Sequence, residues 1–349
     1  MKAEWKTFLT GIGAELDDRD QVVSYGSPKR EAAMALSGNT FCDLSHFSLI
    51  EVRGKDAEDF LQNQLSNDVR QLTEERSQLT SYNSPKGRVL AIFRLFKQND
   101  VFFLSLPTSL TESILKRLRM FVLRSDVTLE DISESRIHLG ASGENIDTEL
   151  ERHIGNAPRA TDSVLQCENY LLLRIPGLQP RYEIYAPLED MKKLWEKLNV
   201  QCAPIGASAW GLLNVTAGLP MIFPETQEAF VAQMLNLQAV GGVSFKKGCY
   251  PGQEVVARMQ YLGKLKRRMF IAQVDSEEIP LPGDEVFAES DSKQSAGKVV
   301  EAYAHPDGGC LLTAVIQIQA AEQEKLFLHS VQGPELHLQS LPYPLQQEE

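Results

Sequence analysis

Cysteine is sparse: Cys42, Cys167, Cys202, Cys249 and Cys310 are the five in the chain. They are scattered, odd in number, and form neither a C-x-x-C pair nor a Cys/His cluster of zinc spacing, which argues against a disulfide framework and a structural metal. Long hydrophobic runs are missing too, since no stretch approaches the roughly 20 apolar residues of a membrane span. Met1 to Asp20 lacks the cationic start and apolar segment of a secretory signal, so the expectation is a cytoplasmic protein. Positive charge is in deficit, with 35 Lys and Arg against 47 Asp and Glu and a formal net charge of −12. General electrostatic attraction to nucleic acid is thereby excluded. Direct binding of nucleic acid is not expected, and any such contact would need a local patch.

What is present is enough apolar residue, 43% of 349, to fill two or three cores, with no tandem repeat. Phe47 to Val52 reads as a strand; Gly54 and then Ala57, Phe60, Leu61 and Leu65 at helical spacing follow. Val89 to Phe96 and Val101 to Leu106 flank Gln98-Asn99-Asp100 as a hairpin would, and Leu110, Ile114, Leu118 and Val122 mark one face of a helix. From Tyr170 to Ala186 two strands flank Pro176-Gly177, before an amphipathic helix carrying Leu188, Met191, Leu194, Trp195 and Leu198. After about residue 266 short apolar runs alternate with turn signals, the pattern of a small β-barrel or sandwich. The expected organisation is an α+β unit over 1–135, open to sharing chain with the next, a second α+β unit over 136–265, and a β-barrel over 266–349 with a polar tail at Gln346 to Glu349.

The stretch with most chemistry is Phe245-Lys246-Lys247-Gly248-Cys249-Tyr250-Pro251-Gly252-Gln253-Glu254-Val255-Val256-Ala257-Arg258. Pro251 suits a first helical turn, which would set the Cys249 thiol near free backbone N–H groups and the positive end of a helix dipole. With Lys246 and Lys247 close by, that setting favours the thiolate, making Cys249 the candidate reactive group; the alternative is a small buried residue at a tight turn. Lys246, Lys247, Arg258, Lys264, Lys266, Arg267 and Arg268 are opposed by Glu254 alone. Such a cluster would suit an acidic ligand tail or a phosphodiester backbone, or form a solvated face. Trp210, one of three tryptophans, lies in an apolar helical stretch and is either a core residue or a stacking platform for a flat ligand.

Lys247-Gly248-Cys249-Tyr250-Pro251-Gly252-Gln253-Glu254 with Ala257-Arg258 resembles the signature of the YgfZ family, folate-binding proteins related to the T-protein of the glycine cleavage system. Similar stretches run from Gly54-Lys55-Asp56 to Asp68-Val69, over Ser84 to Arg88, from Leu213 to Pro220, at Asn236-Leu237 and over Gly241 to Phe245, so the resemblance spans roughly residues 40 to 345. It implies a cloverleaf of two α+β domains and a β-barrel around a central site for tetrahydrofolate. The family's folate-contacting aromatics match Trp210 and Phe47; relatives have tryptophan at the latter position, so the stacking face is kept and the indole N–H lost. Lys247, Arg258 or the cluster at 264–268 would receive the anionic folate tail.

The T-protein's paired aspartates fall on Ala91 and Ile92, neither able to take a proton, and the glutamate of its Leu-Glu-Ala-Gly stretch falls on Thr216. The resemblance therefore implies retained folate binding without aminomethyl transfer. It also implies a role in tRNA modification and in keeping iron–sulphur enzymes active, with such client enzymes as partners and Cys249 as the thiol that acts. An iron–sulphur ligand set is not visible, because Cys249 has no other cysteine within roughly 40 positions. The rival readings are a T-protein-like aminomethyltransferase and a non-catalytic interaction protein.

Overall fold

A computed structural model describes residues 1–345; the expected polar tail at 346–349 lies outside the described residues. Two large open sheets, a two-stranded ribbon of Glu15–Leu16 with Val22–Ser24, and a closed barrel make up the α+β architecture among the described residues. The first sheet is antiparallel, with strands in the order Gln78–Asn83, Val89–Gln98, Val101–Pro107, Phe47–Arg53 and Thr128–Asp131. Its hairpin at Asn99 and Asp100 has both residues at positive φ, 50° and 60°, as a two-residue type I′ loop demands. Strand alternation divides the side chains. Val89, Ala91, Phe93 and Leu95 join a core with the helices Ala57–Gln64 and Thr108–Arg119, while Leu49, Phe96 and Phe103 enter a second core shared with the other sheet.

The second sheet runs Val164–Cys167, Tyr170–Ile175, Arg181–Ala186, Ile137–Ser142, Thr40–Asp43 and Ala203–Ile205. Thr40–Asp43 precedes the whole first sheet in sequence, yet it hydrogen-bonds here, antiparallel to Ile137–Ser142 and parallel to Ala203–Ile205. Its four residues are all buried: Phe41 packs with Trp5, Trp195 and Leu139 on one face, and Cys42 with Leu171 and Ile205 on the other. Residues grouped by sequence position with the first unit thus supply an interior strand of the second sheet.

The barrel closes through Arg267–Val274, which pairs with both Cys310–Gln317 and Glu335–Gln339; Gly297–Ala304, Glu285–Ala288 and Leu326–Leu328 complete it. Leu326–Leu328 and Glu335–Gln339 are too short and mixed to stand out in sequence.

One helix, Ala207–Thr216, joins these parts. Ala209, Trp210 and Leu213 face the core between the sheets, whereas Leu212 and Val215 pack with Ile271 and Leu311 of the barrel. A helix apolar all round must be enclosed all round. Gly211 permits the closest approach, since a Cβ there would lie 2.1 Å from the Tyr303 ring.

Candidate functional site

Strand Arg181–Ala186 sends Arg181, Glu183 and Tyr185 to the face that meets the first sheet, because residues two apart share a side. Across the register Glu183 stands opposite Gly140, and Tyr185 opposite His138. Gly140 leaves a gap that Trp210 fills: a Cβ at Gly140 would lie 2.7 Å from Trp210 Cη2. The Arg181 guanidinium stacks 4.5 Å from the Trp210 ring centroid, and the indole is only 2% exposed. The stacking face expected of Trp210 is therefore taken up by Arg181.

Arg181 donates to Leu213 O at 3.1 Å and to Asn214 Oδ1 at 2.8 Å, but its buried Nε has no partner. Burial pushes its pKa down to about 9, still charged at neutral pH. From the barrel comes Glu301, 1% exposed, which accepts from Tyr303 OH at 3.1 Å through one oxygen while Oε1 is unpartnered. Burial pushes this carboxyl up to about 8, so it holds its proton at neutral pH.

Glu183 behaves oppositely. Burial works to raise it, but His138, with Nε2 3.3 Å from Oε2, the Arg94 charge and the Tyr185 hydroxyl at 3.2 Å hold it below the usual glutamate value. His138 stacks on Tyr185 at 4.1 Å, and Phe47, half-buried, has its ring 6.2 Å from His138 and 4.6 Å from His46. Burial pushes His46 down to about 3, leaving it neutral. An ionised carboxylate beside a half-open aromatic ring can hold a flat heterocycle that offers N–H donors along one edge. Phe47 and Trp210 stand out in the sequence, whereas Arg181, Glu183, His138 and Glu301 do not. The period-2 spacing of Arg181-Tyr182-Glu183 was the available signal: two charges on one side of an otherwise apolar strand.

Of the other expected residues, Lys247 sits against the helix Ala57–Gln64. Lys247 is 7% exposed, and its Nζ donates to Gln62 O and Leu65 O at 2.6 Å and to Asn67 O at 2.9 Å. Three carbonyls at and just beyond a helix C-terminus use all three ammonium donors, so Lys247 caps that helix and has none left for a ligand tail. Gln253 Nε2 returns to Lys247 O at 3.2 Å.

The helix runs from Gln253, and Pro251 lies outside it rather than in its first turn. Pro251 and Gly252 instead occupy the centre of a turn in which Gln253 N donates to Tyr250 O at 3.1 Å and Gly252 has φ 79° and ψ 4°, the conformation of a type II turn. Cys249, just before that turn, is exposed, and its thiol makes no hydrogen bond among the described residues. Cys42, Cys202 and Cys310 are buried; burial raises the thiol pKa of each, that of Cys202 to about 12. Arg258 is exposed on the following helix.

Ala91 and Ile92 lie in the strand Val89–Gln98, 0% and 4% exposed, and Thr216 donates back to Leu213 O at 3.0 Å. None of the three offers a proton acceptor of carboxylate strength. Among the described residues no helix is long and apolar enough to cross a membrane.

Comparison with known proteins sets these features in a lineage. Residues 20–157 match the family model of the GCVT N-terminal domain. The structure superimposes on the glycine cleavage system aminomethyltransferase T from Bartonella henselae with a TM-score of 0.78, covering 98% of this chain and 97% of that one at 16% identity, which establishes a common fold. The tRNA-modifying protein YgfZ of Colwellia psychrerythraea is 34% identical over 276 residues, 78% of this chain and 84% of the relative. With identity at that level over most of both chains, on the T-protein fold, the protein belongs to the YgfZ family.

Proposed function

We propose that this protein binds a tetrahydrofolate between its two open sheets and its barrel, and that in this form it supports tRNA modification rather than transferring an aminomethyl group. The observation that carries the reading is the ionised Glu183 against His138, whose ring lies 6.2 Å from that of Phe47, with buried, unpartnered polar atoms on Arg181 and Glu301 in the same region. Buried polar atoms without partners are uncommon and call for a ligand or water. A pterin offers adjacent N–H donors that a carboxylate accepts pairwise, and a face that an aromatic ring covers. Arg181 Nε could donate to a pterin acceptor and the protonated Glu301 could do the same, so the residues fit the group. The T-protein relative's name specifies an aminomethyltransferase, but Ala91 and Ile92 give that chemistry no proton acceptor here.

The tRNA role follows the relative's name. In this reading Cys249 is the reactive group, performing thiol chemistry or meeting a client iron–sulphur enzyme, and its exposure supports that assignment. Titration of the purified protein with tetrahydrofolate, followed by tryptophan fluorescence and calorimetry, tests the first half. Saturable binding is expected, weakened at least tenfold in Glu183→Gln. Absence of binding at tens of micromolar, or equal affinity in the variant, overturns it.

A further inference from the structure

The helix Gln253–Tyr261 buries a single residue, Val256. Its outward side is unpartnered: Tyr261 is 67% exposed and Leu262, just past its end, 85%. Arg258, Tyr261 and Leu262 are spaced three and four apart and so lie together. Lys264 and Lys266 follow on the exposed link to the barrel. The Phe245 ring meets the Tyr261 ring edge-on at 6.3 Å, so the exposed Lys246 is one residue from a contact with this helix. Lys246, Arg258, Lys264 and Lys266 make no ion pair among the described residues.

In a chain of net charge −12, four exposed cations without an ion pair among the described residues, on and beside the helix that carries Tyr261 and opposed there by Glu254 alone, are a local inversion of sign. We propose that this face docks single-stranded RNA, with phosphates on Lys246, Arg258, Lys264 and Lys266 and an unpaired base on the Tyr261 ring. The proposal rests on the tRNA-modification reading above and adds where the RNA is held. Two features favour RNA over an acidic protein. Protein interfaces are depleted of lysine, and three of the four cations here are lysines. An exposed ring flanked by cations is the arrangement that binds single strands without sequence preference. The acidic remainder does not oppose it at physiological salt, where charges beyond about 8 Å are largely screened.

Fluorescence anisotropy of the purified full-length protein with a labelled, unstructured 15-nucleotide RNA tests this, against a duplex RNA and poly-glutamate as competitors. Binding should weaken with salt at a log–log slope of about −2.8, four phosphate contacts at roughly 0.7 each. Lys264→Glu/Lys266→Glu, checked for unchanged thermal unfolding, should lose at least tenfold in affinity. Its slope should flatten by about 1.4. Tyr261→Ala should lose three- to tenfold with the slope unchanged, while its tetrahydrofolate titration matches the parent. No RNA binding at 50 mM salt, poly-glutamate competing as well as RNA at equal charge, or variants binding like the parent would each overturn the proposal. Folate binding measured on the same preparation separates that failure from failure of the folate reading.

Discussion

Gly252 and Gly87 meet backbone to backbone: a Cβ on Gly252 would stand 2.5 Å from Gly87 Cα, and one on Gly87 would stand 2.8 Å from the Cβ of Val255. Both have positive φ, 79° and 71°. The turn Ser84 to Gly87 and the Cys249 loop are thus seated on one another through the two residues that lack side chains.

Gly252→Ala should therefore destabilise the protein by roughly 2 to 4 kcal/mol, combining a left-handed backbone with a clash against main-chain atoms that cannot rotate away. Equilibrium unfolding in urea measures it. A loss below 0.5 kcal/mol would mean that the two turns separate freely.

Lys247→Ala should lose about 2 to 4 kcal/mol, because it strands three carbonyls, two of them buried with their donor, at the end of Ala57–Gln64. Hydrogen exchange should show the last turn of that helix opening first. Tetrahydrofolate affinity should be unchanged in the folded fraction, since no ammonium donor is free for the ligand.

Phe47→Ala should weaken tetrahydrofolate binding by about 1 kcal/mol, the scale of a half-buried ring face. Phe47→Trp should bind as well or better. Strong loss from the tryptophan variant would place the heterocycle away from this ring.

Cys249 should be the first of the five thiols to react with iodoacetamide, read by peptide mass spectrometry, because Cys42, Cys202 and Cys310 are buried and Cys167 donates to Ile154 O at 3.1 Å. Cys249→Ser should fold and bind folate normally yet fail to restore tRNA modification in cells lacking the native protein. Full rescue would leave the residue a turn element only.

Glu301 makes stability depend on pH. Its carboxyl titrates near 4.5 when unfolded and at about 8 when folded, so between these values the folded chain keeps a proton that the unfolded chain has released. The contribution is full below pH 4.5 and declines as pH rises, at up to about 1.4 kcal/mol per unit, until it is gone above pH 8. Glu301→Gln should flatten the fall in Tm between pH 5 and 8.5. Parallel profiles for the two proteins would show that Glu301 ionises normally.

Elements with strong local pattern were legible in the sequence: the hairpin at Asn99-Asp100, the helix carrying Met191 and Trp195, and the alternation of short apolar runs and turns that marks the barrel. In the Cys249 stretch the helical run from Gln253 was legible, but Pro251 lies in a turn outside it, because proline followed by glycine specifies a type II turn as readily as a first helical turn. Lys247 read as a ligand cation because its partners are main-chain carbonyls some 180 residues earlier, which carry no residue code. Arg181 and Glu301 were invisible for a related reason. Their significance comes from burial against each other's elements, which is a property of the assembled core. Trp210 was found by its rarity, yet rarity could not say that a guanidinium already covers it.

The placement of Thr40–Asp43 has a consequence for synthesis. Its neighbours in the sheet, Ile137–Ser142 and Ala203–Ile205, leave the ribosome about a hundred and about a hundred and sixty residues later. At roughly 5 to 20 residues per second, the buried strand waits on the order of ten to thirty seconds for its second edge, while all five strands of the first sheet have emerged by Asp131. Until then the apolar segment around Phe41 lacks its partners, and the second sheet closes around a chain whose middle has already begun to fold.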